Sequence, residues 1–86
     1  MQRELWAELS AAISMIDRDF FDNDSYVHST ARIVRVYVWS VLHQASVNWA
    51  CRASHWDRQT CPPALPDQST MSRRLQTPEF EEFMRR

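Results

Sequence analysis

Leu65–Leu75, read L-P-D-Q-S-T-M-S-R-R-L, concentrates residue types that contact nucleic acid. On a helical wheel at about 100° per residue, Met71 and Leu75 point to a core and Ser69, Arg73 and Gln76 point nearly opposite. Thr70 and Ser72 lie on either side. Short polar groups allow close approach to a major groove, and an arginine fork matches guanine O6 and N7. Arg74 falls on a flank, where its length suits a backbone phosphate, and Gln68 sits at the helix start. Asp67 is the natural N-cap, its carboxylate accepting from the amide of Ser69 or Thr70. The candidate DNA contacts are therefore Ser69, Thr70 and Arg73 for base edges and Gln68, Ser72 and Arg74 for phosphates or the rim. Arg52 and Arg58 are further candidates for the backbone.

Other chemistries have weaker claims. Cys51, His55 and Cys61 make C-x3-H-x5-C with His43 as a conceivable fourth ligand, but structural zinc usually takes four ligands with paired cysteine spacing. Buried cysteines are the better reading, and no metal or cofactor is expected. His28, His43 and His55 lack a triad-like arrangement and read as capping or surface histidines. Asp17, Asp19, Asp22 and Asp24 fail the calcium-loop pattern, with no glycine at its sixth position, and read as a solvated helix end. Trp39, Trp49 and Trp56 are able to stack on bases, but at helical spacing tryptophan more often belongs to the core.

The elements that must position this segment read as helices. The 86 residues make one domain with a marginal core, to which four Trp, four Phe and two Tyr contribute bulk. Glycine is absent, which argues against hairpin-rich and doubly wound folds and removes Gly-rich phosphate loops. The expected fold is all-α, a small bundle of four to five helices containing a helix-turn-helix-like pair. Leu5, Leu9, Ala12, Ile13, Ile16 and Phe20 give residues 3–21 an apolar face, and the chain turns near Asn23–Ser25. Residues 29–44 are β-branched but too long and unbroken for a strand, so they predict a buried central helix capped by Ser29 or Thr30. Ser46 caps a third helix over 46–55 with Val47, Ala50 and Cys51 inward. Residues 57–66, with three prolines, form a long connection. Thr77-Pro78 opens a last helix with Phe80, Phe83 and Met84 on its apolar face, running to the end as if a longer protein continued.

All ten basic residues are arginine, yet the net charge is −1. Residues 1–43 carry four Arg against six acids and residues 44–86 carry six against five, so any DNA contact is a local patch. No apolar run approaches a membrane span, no signal peptide is evident, and two cysteines do not make a disulfide framework. A cytoplasmic location follows as the expectation.

The run I-V-R-V-Y-V-W-S-V-L-H, then S-V-N-W-A-C, then L-P-D-Q-S-T-M-S-R-R-L, resembles the N-terminal region of bacterial DDE-type transposases of insertion sequences. The likeness covers about residues 30–76, and S-T-x-S-R-R-L with its preceding Leu-Pro is its most specific part. Asp67 departs from the pattern, where Ser is commoner, and puts an acid near phosphate. The resemblance implies a single helical domain, residues 1–86, that binds double-stranded terminal inverted repeats ahead of a catalytic domain. A DDE centre needs three carboxylates on an α/β core holding two metal ions, and this chain has neither the strands nor the length, so the domain is expected not to be an enzyme. No small-molecule substrate is expected; a homodimer is possible. The rival reading is a small helical oligomerisation module without DNA binding. An exposed apolar stripe on residues 3–21 favours the rival, and an arginine-rich face on residues 67–76 favours DNA.

Overall fold

A computed structural model describes residues 3–22 and 25–85. Five α-helices run in the order α1 (Arg3–Arg18), α2 (Thr30–Leu42), α3 (Val47–Ala50), α4 (Gln68–Arg74) and α5 (Pro78–Met84), with a 3₁₀ turn at Ala53–His55. Among the described residues there is no strand, and no helix is long and apolar enough to cross a membrane. The turn expected at Asn23–Ser25 and the carboxylate of Asp24 fall largely outside the described residues.

α2 is the axis of the fold and packs against all four other helices. Its β-branched residues are apolar on more than one side because two cores need them. Ile33, Val36 and Trp39 join Trp6, Ala50, Trp56 and Met71 in one cluster. Ala31 and Val34 join Ile13 and Phe83 in the other. A helix buried on both sides carries no clean amphipathic stripe. Ser29 caps it, accepting from the Arg32 amide at 3.2 Å. Its other end is a glycine-free Schellman turn. Ala45 N–H donates to Ser40 O at 2.9 Å and Gln44 N–H to Val41 O at 3.0 Å, with Gln44 left-handed at φ 52°. A residue with a Cβ stands where glycine is usual.

α1 is turned from its expected orientation. Trp6 and Ile13 are buried and Leu9, Ile16 and Phe20 half-buried, but Leu5 and Ala12 are exposed. Trp6 decides the rotation. Its indole meets Trp39 edge-on at 4.9 Å and Trp56 edge-on at 5.7 Å, while Trp39 and Trp56 stack at 4.3 Å. Burying that indole removes more apolar area from water than burying Leu5 would.

The third helix is shorter than the expected 46–55. It begins at the Ser46 cap, which accepts from the Trp49 amide at 3.1 Å, and stops at Ala50. Side chains take the carbonyls that a longer helix would use. Trp56 Nε1 donates to Ala50 O at 2.7 Å, and His55 Nδ1 reaches Trp49 O at 2.8 Å. Trp39 Nε1 then holds His55 O at 3.0 Å. Ala50 is buried, with Val47 and Cys51 half-buried against the same cluster. α3 does touch α4, but it is a single turn, and residues 51–67 lie between them.

Candidate nucleic-acid interface

α4 forms where the capping chemistry places it. Asp67 is extended, and its carboxylate accepts the Thr70 amide at 2.7 Å and the Ser69 hydroxyl at 3.2 Å. The Thr70 amide above all, with the Ser69 hydroxyl and the Arg73 charge, holds the Asp67 carboxyl below the usual aspartate range. Met71 is fully buried and Leu75 half-buried, so the helix is anchored in the direction the wheel gives. Gln68, Ser69, Ser72 and Arg73 are exposed and, with Asp67, line one shallow depression. Thr70 is half-buried and faces a neighbouring cleft walled by Tyr26, Val27, His28, Arg73 and Thr77.

Arg74 requires a correction. It does not lie on an open flank but is buried, with 6% of its surface exposed. One guanidinium nitrogen donates to the His28 carbonyl and the other terminal nitrogen to Thr30 Oγ1 at 3.0 Å. The guanidinium carbon sits 3.5 Å from the centre of the Tyr26 ring, a cation–π contact. Thr30 Oγ1 passes the interaction on, donating to Asp22 Oδ1 at 2.7 Å, while the Thr30 amide donates to Asp22 Oδ2 at 2.7 Å. Arg74 therefore ties α4 to the first residue of α2 and to the 26–28 segment. To reach a phosphate it would have to abandon all of these partners. The signal was present in the spacing: Arg74 follows Met71 by three, about 60° from the buried direction, so its stem starts inside. What the spacing did not contain was Asp22, Tyr26 and Thr30, which reach Arg74 only through the fold.

The acidic run likewise divides. Asp17 and Asp19 are exposed, whereas Asp22 is the half-buried acceptor of the Thr30 pair. Arg52 and Arg58 are exposed. Trp39 and Trp56 are core residues, and Trp49 is half-buried between His43 and His55, stacked on His55 at 4.5 Å. Cys51 and Cys61 are free thiols whose pKa values burial pushes up. Among the described residues no three of His, Cys, Asp or Glu are placed to hold a metal ion.

Comparison of the chain with known protein families, with curated proteins and with solved structures gives no match.

Proposed function

We propose that this chain is a non-catalytic, helical DNA-binding domain of the kind that begins DDE-type insertion-sequence transposases, and that α4 reads double-stranded terminal inverted repeats. The observation that carries the reading is the outward face of α4. Gln68, Ser69, Ser72 and Arg73 are exposed side by side, and none of them packs into either core. A helix anchored through Met71, Leu75 and Arg74, with short polar groups and one exposed arginine outward, suits close approach to a groove. The L-P-D-Q-S-T-M-S-R-R-L resemblance supplies the transposase context.

In this reading Arg73 contacts a base edge, and Ser69 and Thr70 contribute beside it. Gln68 and Ser72 lie on the rim, and Arg74 positions the helix from behind. Asp67 caps α4 at the edge of the same depression, and its negative charge tempers affinity there. The test is binding of the chain to the inverted repeats flanking its own coding sequence, against scrambled duplexes of equal composition. Preference for the repeats, relaxed by Arg73→Ala at one base position with a cost of about 1–3 kcal/mol, is the expected result. Equal affinity for both duplexes would remove the specific-recognition claim.

A second reading, the oligomerisation module, has its own observation. Leu5 and Met15 on α1 are exposed at 42% and 65%, and Phe21 just beyond it at 97%. Sedimentation of Met15→Glu beside the parent chain decides it: a dimer dispersed by the substitution favours this reading, and a monomeric parent removes it.

A further inference from the structure

Arg32 and Arg35 lie one turn apart on α2, both half-buried, and neither has a carboxylate within 4.0 Å among the described residues. Their partners are neutral. Arg35 donates from Nε to Ser10 Oγ at 3.4 Å and from Nη2 to Ser14 Oγ at 2.6 Å. Arg32 Nη1 meets His28 Nδ1 at 3.2 Å. The Nη1 of Arg35 and the Nε and Nη2 of Arg32 find no acceptor among the described residues. The two side chains share a cleft of about 260 Å³ with Ser10, Ser29, Gln59, Thr60 and the Pro62-Pro63 wall. Partial burial and the proximity of Arg32 both work against the charge on Arg35, and Asp17 is the acid that favours it.

Two guanidiniums that repel one another in a cleft lined with hydroxyl and amide groups, with spare donors and no carboxylate in contact among the described residues, have the composition of an anion site. Through His28 the cleft borders the one that Thr70 and Arg73 line. His28 and Arg73 both line that neighbouring cleft, the His28 ring nitrogen meets Arg32, and Ser29 begins the cleft of Arg32 and Arg35. His28 thus stands between Arg73 on one side and Arg32 on the other, in a chain whose net charge is −1.

We propose that the Arg32–Arg35 cleft binds a backbone phosphate of the DNA whose bases α4 reads. The inference rests on the DNA-binding reading and extends it from one helix to a second. Arg32 and Arg35 donate to the non-bridging phosphate oxygens, and the hydroxyl of Ser29 completes the pocket. Because phosphate contacts position without reading sequence, this cleft sets affinity and orientation while Arg73 sets preference.

The experiment is a salt series on the whole chain with the flanking inverted-repeat duplex and a scrambled duplex, for the parent, Arg32→Gln, Arg35→Gln and Arg73→Ala. Each of the first two substitutions is expected to flatten the slope of log K against log salt by about 0.9 while leaving the ratio between duplexes unchanged. Arg35 also ties α1 to α2 through Ser10 and Ser14, so its variant loses those bonds as well. Arg32→Gln spares those bonds and carries the test if Arg35→Gln fails to fold. A parent that prefers the repeat, with Arg32→Gln parallel to it in slope and affinity, overturns the cleft and leaves the α4 reading standing. A parent that binds both duplexes equally, with the slope flattened by Arg32→Gln, keeps the cleft and overturns specific recognition. A parent that binds neither duplex overturns both.

Discussion

The two ends of α2 are held by opposite kinds of chemistry. Near its C-terminal end, Trp39 stacks on Trp56 and meets Trp6 edge-on, and the indole nitrogens of Trp39 and Trp56 are spent on loop and helix carbonyls. At its N-terminal end, Thr30 sits between the Asp22 carboxylate and the buried Arg74 guanidinium, with the Tyr26 ring beneath the cation. The first region gains from apolar area removed from water. The second takes a charge out of water and recovers the cost through a carbonyl, a hydroxyl and a ring face rather than through a direct carboxylate. Among the described residues Arg74 Nε is buried without an acceptor, so the recovery they provide is incomplete. The aromatic end supplies stability, and the polar end supplies register, because a guanidinium accepts its partners in one geometry only. That register fixes which way α4, and hence Arg73, faces.

The largest effect should come from breaking the aromatic end. Trp39→Ala removes the side chain shared by both other buried indoles, and a loss of about 3–5 kcal/mol is expected in urea unfolding. In a domain of this size that is a large part of the total. At the polar end, Arg74→Met keeps much of the bulk but leaves the Thr30 hydroxyl and His28 carbonyl without their donor. Removal of the desolvated charge offsets part of that, and a loss of about 2 kcal/mol is expected. Were Arg74→Met more damaging than Trp39→Ala in the same urea series, the division between the two ends would be wrong.

The smallest effect sharpens the polar end. Burial, then the charges of Arg32 and Arg74, hold the pKa of His28 below the usual histidine value. The folded state therefore resists protonation that the unfolded chain accepts. Stability should fall as pH drops through the ordinary histidine pKa, about 6.5, toward the lower folded value. His28→Asn should flatten that part of the urea midpoint-against-pH profile. An unchanged profile would show that His28 does not feel the neighbouring cations.

Much of the fold was legible because it rests on local signals. The caps at Ser29, Ser46, Asp67 and Thr77 each accept from the amide three residues on, and Pro78 opens α5 as its position predicts. The all-helical class follows from those caps, the absence of glycine and the apolar periods. What sequence did not disclose depends on contacts between distant residues. Trp6 turned α1 away from the Leu5 face, and side chains from residues 39, 55 and 56 ended α3 early. Arg74 finds its partners 44 and 46 residues away, which no wheel contains. For the candidate interface, the wheel turned Ser69, Arg73 and Gln76 outward, and all three are exposed; of the two residues set beside them Ser72 is exposed and Thr70 half-buried. It set Arg74 on an open flank only because a long polar side chain was assumed to leave the buried face it starts from.

In the proposed function adjacent arginines divide the work, Arg73 turned to DNA and Arg74 turned to the fold. The most direct test of that division is the salt dependence of binding to the inverted-repeat duplex for Arg73→Ala and Arg74→Met, with thermal unfolding of both. Arg73→Ala should melt within about 0.5 kcal/mol of the parent and lose base preference. Arg74→Met should melt lower and, at a temperature where it remains folded, keep the parent's salt slope. An Arg74→Met chain that melts like the parent while flattening the slope by about 0.9 would make Arg74 a phosphate contact and contradict the account.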